Sequence, residues 1–261
     1  MINDKALLAG IVSMAIGAAA PAASPDIVKE LAPSGRLRAA INFGNPVLAQ
    51  KDPATGAAQG VSVALARELA RQLDVPVELV PFTEAGDVVN AVKHGAWDVA
   101  FLAVDPRRAA EIDFTAPYVV LEGVYLVPAD SPLKELADID RAGLRVGVGV
   151  GTAYDLFLTR TLKQAQIVRA ATSIASMDLL PNKEADILAG VKQPLVDYAA
   201  SHPEMRVIPG TFMTINQAMA APKGREAGFG FLRGFIETQK SSGFIAKALA
   251  ASGQGDATLA P

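Results

Sequence analysis

Short apolar segments alternate with longer amphipathic ones along most of the chain. The clearest helical pattern lies in residues 61–73, where Leu65, Leu69 and Leu73 share one face and the charged side chains lie away from it. Residues 98–104 become continuously apolar after the first position, which is typical of a strand covered on both faces. Similar reasoning predicts helices at 24–32 and 84–94, a loop at 42–60, and strands at 37–41, 77–82 and 123–128.

A second series of alternating elements follows the turn at residues 129–132. It comprises predicted strands at 144–148, 167–170, 185–189 and 206–209, and predicted helices at 153–165, 174–180 and 194–201. Two helices without strands of their own, at 226–241 and 243–252, end the chain. Alternating strands and helices favour parallel pairing with right-handed crossovers, so we expect an α/β fold.

The two series predict two lobes, each with a mostly parallel sheet flanked by helices. Because the final helices lack strands, we expect them to pack on the first lobe. The first lobe then comprises residues 34–127 and 212–261, and the second comprises residues 130–209. The chain would cross twice between them, and paired crossovers form a hinge that can close a cleft.

Composition excludes several classes of function. The 261 residues carry a net charge of −3, whereas nucleic-acid binders usually present a basic face. There are no cysteines and only two histidines, so neither a disulfide framework nor a metal site is expected.

The N-terminal residues resemble an export signal. Lys5 precedes the apolar run 6–20, and Ala20 and Ala22 satisfy a small-x-small rule for cleavage after Ala22. A membrane anchor is the alternative, but the run is rich in Ala and Gly and falls short of about 20 strongly apolar residues. We therefore expect residues 1–22 to be a signal peptide and the protein to be periplasmic.

Two arginines, Arg107 and Arg108, follow directly after the predicted strand 98–104. Open α/β sheets bind ligands at the carboxyl ends of their strands, and a guanidinium can hold a carboxylate through two parallel hydrogen bonds. The alternative is that both are surface charges that pair with Glu111 or Asp113. A second candidate is the Gly-rich turn that ends in Gly151 and Thr152, where a helix start offers N–H groups to an anion or carbonyl oxygen. That turn is equally compatible with a purely structural role.

Several segments together resemble the bacterial solute-binding proteins of ABC transporters, most closely the polar-amino-acid group often called family 3. They are SGRLRAAI, GVSVALARELARQLDVPVELVPF, GAWDVAFLAVDPRRAAEIDFTAPY, LRVGVGVGTAYD and EADILAG. The resemblance implies a two-lobed periplasmic receptor that captures a small solute and presents it to permease subunits. We expect the solute to bear a carboxylate, the protein to be a monomer, and neither a cofactor nor a nucleic-acid partner to be involved.

The resemblance also assigns roles to individual positions. Arg108 matches the arginine that grips the ligand carboxylate, and Thr152 matches the helix-start residue that donates to the same group. The loop with Asn42, Phe43 and Asn45 matches a segment that contributes an aromatic wall in many members.

Two departures from the family pattern concern the ligand amine. Phe101 and Ala103 belong to a stretch that usually carries hydroxyl groups, and Lys192 and Gln193 stand near the place of a usual aspartate. One hypothesis is therefore a small carboxylate without a free amine, such as a diacid or an aromatic acid, held between Arg108 and Lys192. The alternative is that Lys192 points to solvent and Gln193 makes the polar contact.

The main rival function is an enzyme of the cyclohexadienyl dehydratase type on the same fold. Such a reaction needs a general acid in the cleft, for which Glu122 and Asp155 are the candidates. A receptor module that feeds a membrane sensor is a third possibility.

Overall fold

The computed structural model of the protein describes residues 23–261, so the predicted signal peptide lies outside the described residues. The α-helices are α1 (Pro25–Leu31), α2 (Val61–Leu73), α3 (Ala85–Ala91), α4 (Ala153–Thr161), α5 (Ser173–Ser176), α6 (Lys192–Ser201), α7 (Glu226–Ser241) and α8 (Phe244–Ala251). The strands are β1 (Leu37–Asn42), β2 (Gln50–Lys51), β3 (Ala58–Gln59), β4 (Val77–Phe82), β5 (Val99–Ala103), β6 (Ile112–Pro128), β7 (Arg145–Gly149), β8 (Gln166–Ala170), β9 (Ile187–Val191), β10 (Met205–Val207), β11 (Met213–Pro222) and β12 (Thr258–Leu259).

One ten-stranded sheet organises the described residues, in the order β4-β1-β5-β11-β6-β9-β7-β8, with β10 and β12 paired to β6. We call β4, β1, β5 and β11 with their connecting segments the first half, and β9, β7 and β8 with theirs the second half. Pairing is parallel between β1 and both β4 and β5, and between β7 and both β8 and β9. The expectation of an α/β fold with mostly parallel sheets is confirmed, and β6 and β11 add antiparallel pairs at the centre.

The central strand β6 joins the two halves. It pairs with β11 along residues 112–123 and with β9 along residues 123–126, so Gly123 belongs to both ladders. The residues paired with Gly123 are Met213 in β11 and Val191 in β9. A Cβ atom at Gly123 would lie 2.7 Å from the Met213 side chain, which explains why glycine suits this crossing point.

Several predicted boundaries were wrong. The predicted strand 123–128 is only the last part of β6, and β11 was not predicted as a strand. Pro117 and the acidic residues of 111–122 interrupt the apolar pattern of β6, so the sequence does not predict a strand there. Pairing with β11 nevertheless holds this segment in a strand. Strand β9 begins and ends two residues later than predicted, and the predicted loop 42–60 contains the β2–β3 hairpin.

The same arginine–aspartate arrangement stabilises both halves. In the first half, Asp98 accepts hydrogen bonds from the backbone N–H, Nε and Nη2 of Arg38 at 3.1, 3.0 and 2.8 Å. In the second half, Asp186 accepts from the same three groups of Arg145 at 2.9, 3.1 and 2.9 Å. Each pair fixes the start of a strand, β5 or β9, against the first strand of its half. Asp98 is fully buried and also pairs with Arg225, whereas Asp186 is partly exposed.

No helix within residues 23–261 has the length and apolar character needed to cross a membrane.

Candidate ligand-binding site

A cavity of about 200 Å³ lies between the two halves, at the carboxyl ends of β1, β5 and β9. The first half contributes residues after β1, the start of α3, the end of β5 and part of β11, and the second half contributes the starts of α4, α5 and α6 and the end of β9. The polar side chains that line it are Asn42, Asn45, Ser62, Glu84, Arg108, Thr152, Tyr154, Ser173, Ser176 and Gln217. Its position therefore agrees with the general rule for ligand sites in open α/β sheets.

Arg108 supplies the cationic group of this cavity. Only 3 % of the residue is exposed, so it is not the surface charge that the alternative interpretation required. Its Nη1 donates to the carbonyl of Ala103 at 2.9 Å, and its Nη2 donates to the carbonyl of Gly151 at 2.9 Å. Because Ala103 lies in the first half and Gly151 in the second, the guanidinium bridges both.

The guanidinium is incompletely paired. Its Nε is buried and has no hydrogen-bond partner among the described residues, and no carboxylate of residues 23–261 lies within salt-bridge distance of the guanidinium. Burial lowers the pKa of Arg108 to about 10, partly offset by the nearby carboxylate of Asp105, so the group remains a cation at neutral pH. A buried cation without a carboxylate partner is costly unless a ligand provides one.

The second half presents a helix start to the cavity. Thr152 caps α4, because its hydroxyl accepts from the backbone N–H of Asp155 at 3.1 Å and donates to the carbonyl of Gly149 at 2.9 Å. Gly151 adopts a left-handed φ of 71°, and a Cβ atom there would lie 2.9 Å from Cα of Gly86 at the start of α3. The backbones of the two halves are thus in direct contact beside the cavity.

Glu84 connects the two halves on another side of the cavity. Its carboxylate accepts hydrogen bonds from the backbone N–H of Ser173 and, at 3.2 Å, from the Ser173 hydroxyl. Burial raises the pKa of Glu84, which is only 2 % exposed, and the nearby Asp87 raises it further, while the bonds from Ser173 oppose the shift. A third connection is the pair between Arg160 Nη2 and Asp105 Oδ2 at 2.9 Å.

The wall that the second half contributes is largely apolar. It is formed by Met177, Leu188, Val191, Pro194 and Leu195. No aspartate or glutamate of the second half lines the cavity among the described residues.

Most of the predicted site residues meet at this cavity. Its lining includes Asn42, Asn45, Phe101, Ala103, Arg108 and Thr152, and Gly151 contributes the carbonyl that Arg108 contacts. Phe43 does not line the cavity, and its ring lies 5.5 Å below the ammonium group of Lys51.

Lys192 and Gln193 do not line the cavity that contains Arg108. Both line a separate polar depression, where the Lys192 ammonium pairs with Glu122 and the Gln193 amide donates to Asp197 at 2.9 Å. The physical reason is that β9 continues through Val191, so Val191 takes the place on the cavity wall and Lys192 begins α6 outside it. The idea of a ligand held between Arg108 and Lys192 therefore has no geometric basis.

The carboxylates suggested for acid catalysis also lie elsewhere. Glu122 is bound to Lys192 and Thr211, and Asp155 is bound to the N–H of Gly151 and to Arg169. Neither lines the cavity.

Sequence reasoning missed six polar residues of the cavity, namely Ser62, Glu84, Tyr154, Ser173, Ser176 and Gln217. Ser62 and Glu84 stand at or next to the beginnings of α2 and α3, and the first turn of a helix that follows a strand is a recognisable location for ligand contacts. Gln217 carried no such signal, because β11 was not predicted as a strand.

Comparisons with known proteins agree with this geometry. A sequence model of the family described as "Bacterial extracellular solute-binding proteins, family 3" matches residues 37–251. The amino-acid-binding protein AabA of Dichelobacter nodosus is 25% identical over 181 residues, which cover 66% of this chain and 70% of that protein.

Two solved structures illustrate the fold. The solute receptor for L-cysteine of Neisseria gonorrhoeae has a TM-score of 0.75, 25% identity, and coverage of 88% of this chain and 93% of that one. The ancestral amino acid-binding protein AncCDT-1, a precursor of cyclohexadienyl dehydratase, has a TM-score of 0.72, 23% identity, and coverage of 86% and 98%. These similarities show the two-lobed periplasmic-binding-protein fold.

Proposed function

The chain belongs to the bacterial extracellular solute-binding proteins, family 3, and on this premise we propose that it is the receptor of an ABC importer for a small solute with one carboxylate. The solute would bind between the two lobes and hold them closed. We further propose that residues 34–127 and 212–261 form the first lobe, that residues 130–209 form the second, and that the exported protein acts as a monomer on permease subunits in the periplasm.

The single observation that carries this proposal is the state of Arg108. The guanidinium is buried, charged, turned toward a cavity and without a carboxylate partner among the described residues. A ligand carboxylate would supply the missing charge and accept from the unpartnered Nε. Because Arg108 also contacts Gly151 of the second half, a ligand at this position would touch both lobes and favour their closure.

The walls of the cavity support a compact ligand with an apolar body. Leu188, Val191 and Leu195 line the cavity, and Arg108 is the only cationic side chain among the described residues that line it, so a second negative charge on the ligand would find no cation there. The proposed ligands are therefore amino acids and amine-free organic acids with a single carboxylate. A diacid is disfavoured.

The proposal is tested by identifying what the protein carries. Mass spectrometry of small molecules released on denaturation, followed by calorimetry with the twenty L-amino acids and with amine-free monocarboxylates, should reveal a ligand with micromolar or tighter affinity. The absence of binding across the panel, or tight binding of solutes without a carboxylate, would overturn the proposal.

A dehydratase acting on cyclic carboxylates is the second candidate, and Glu84 is the observation that favours it. Among the described residues, Glu84 is the only one with a carboxyl group that lines the cavity, and its raised pKa suits a general acid. A turnover assay with prephenate distinguishes the two functions. Product formation that is lost in the Glu84→Gln variant would support the enzyme, and no turnover by the wild type would leave the receptor.

A further inference from the structure

The side chain of Gln217 differs from every other polar side chain that lines the cavity. Its residue is only 4 % exposed, yet its carboxamide makes no hydrogen bond to any residue within 23–261. By contrast, Asn42 accepts from the N–H of Gly44 at 2.9 Å, and the other polar lining residues each contact at least one described residue. The amide atoms of Gln217 are not among the buried unpartnered atoms of the described residues, so they are open to the cavity, where a ligand group can donate to or accept from them.

The sheet places Gln217 next to the carboxylate site. Gln217 in β11 lies directly opposite Ala103 in β5, and the carbonyl of Ala103 accepts from Nη1 of Arg108 at 2.9 Å. Side chains of directly opposed residues lie on the same face, with Cβ atoms about 4.5–5.5 Å apart. The side chain of Gln217 is therefore on the same face of the sheet as that of Ala103, and both residues line the cavity together with Arg108.

An irregularity in the sheet accompanies Gln217. On its other side, Gln217 opposes Val119 of β6 whereas Ala218 opposes Pro117, so Tyr118 is an extra residue in β6. Such bulges change the direction of nearby side chains and occur frequently next to binding sites. The Tyr118 hydroxyl lies 3.5 Å from that of Ser62, another lining residue.

We propose that Gln217 determines specificity by accepting a hydrogen bond from a donor on the carbon next to the ligand carboxylate. This inference rests on the proposed function, because it takes Arg108 as the carboxylate site. The donor is an ammonium or a hydroxyl group, so the ligand is a 2-amino or 2-hydroxy acid. In this arrangement the amide oxygen of Gln217, in the first half, accepts the hydrogen bond from the donor on carbon 2. No carboxylate of the second half lines the cavity among the described residues to accept it.

The test compares ligands that differ only at carbon 2. Three probes are used on each of the alanine, leucine and phenylalanine skeletons: the L-amino acid, the matching L-2-hydroxy acid and the unsubstituted acid. Calorimetry with the wild type should show the amino or hydroxy probe binding at least about tenfold more tightly than the unsubstituted acid, which corresponds to one good hydrogen bond. Which of the two substituted probes binds better identifies the donor.

The Gln217→Met variant should lose this discrimination. We expect affinity for the substituted probe to fall about tenfold while affinity for the unsubstituted acid changes by less than about twofold. Gln239→Met is the matched control, because Gln239 is equally buried on α7 and does not line the cavity. Gln217→Leu provides a second variant if Gln217→Met is unstable in thermal melts.

The outcomes separate this inference from the proposed function. Equal loss of affinity for substituted and unsubstituted probes in both Gln217 variants would overturn the role of Gln217 and leave Arg108 as the carboxylate site. Equal binding of all three probes by the wild type would also overturn the role of Gln217 and leave Arg108 as the carboxylate site. A wild type that binds none of the nine probes would count against the proposed function and against this inference with it.

Discussion

The guanidinium of Arg108 and the carbonyl of Gly151 are joined by a 2.9 Å hydrogen bond that connects the two halves at the edge of the cavity. Arg108 follows β5, whereas Gly151 precedes α4. One side chain thus combines two tasks, because it presents a cation to the cavity and also holds the opposite half. Removing it should impair recognition and closure together.

Arg108→Ala should weaken binding of a carboxylate ligand by about 100-fold or more, since a desolvated charge-assisted contact contributes a few kcal/mol. Calorimetry with the ligand found by mass spectrometry measures the change. Arg107→Ala is the matched control, because Arg107 is exposed and should leave affinity within about twofold. An unchanged dissociation constant in Arg108→Ala would contradict its assignment as the carboxylate site.

Ligand affinity should rise as the pH falls from 7 toward the ordinary pKa of a glutamate. Burial raises the pKa of Glu84 in the closed arrangement, whereas an open cleft would expose the carboxyl group and return its pKa toward the usual value. Closure therefore takes up protons in this interval, and the gain ends below the ordinary pKa. Titrations between pH 4.5 and 7.5 should show this slope in the wild type and a flatter one in Glu84→Gln. Asp130→Asn, at an exposed carboxylate that does not line the cavity, should retain it.

Gly86→Leu should hold the cleft partly open. A Cβ atom at Gly86 would already lie 3.4 Å from Cα of Gly151, so a larger side chain must displace the second half. Overpacking of this kind costs about 1–3 kcal/mol, so affinity should fall about tenfold. X-ray scattering at saturating ligand should give a larger radius of gyration than for the wild type. Gly234→Leu, on an open face of α7, is the control and should close normally.

Lys192→Gln should leave ligand affinity within about twofold of the wild type. The Lys192–Glu122 pair is about half exposed and lies outside the cavity, and exposed pairs contribute about 1 kcal/mol or less. A strong loss of affinity in calorimetry would restore Lys192 as a ligand contact and would contradict its placement here.

Asp98→Asn should lower the melting temperature by about 10 °C. Asp98 is fully buried and pairs with Arg38 and Arg225, and removing one partner of a buried pair costs about 3 kcal/mol or more. Asp186→Asn is the natural comparison, because it changes the equivalent but partly exposed pair of the second half and should cost about 1 kcal/mol. Equal shifts of the two melting curves would show that burial does not decide the effect.

The sequence predicted the features that depend on local patterns. The α2 helix follows from the spacing of Leu65, Leu69 and Leu73, and the site of Arg108 follows from its place after a buried strand. Local patterns did not reveal β11, whose residues pair with segments about a hundred positions earlier. Gln217 was missed for the same reason, since only the pairing brings it beside Ala103.

A small error in a strand boundary had a larger consequence for the site. Ending β9 at residue 189 put Lys192 in the segment directly after the strand, near the usual place of an acidic ligand contact, whereas Val191 is the last residue of β9 and lines the cavity. Glu84 shows another limit, because its burial results from the approach of Ser173 in the other half and not from its own neighbours in sequence.

The position of Gly123 has a consequence for how such a protein would measure its ligand. Gly123 is the residue at which β6 exchanges one neighbouring strand for the other, and its partner Val191 is also part of the cavity wall. Any rotation of one half about this point moves Val191 with it. The proposed hinge residue Gly123 is therefore paired directly with Val191, a residue of the cavity wall. A solute too large for the cavity would press on Val191 and so oppose closure at the hinge itself.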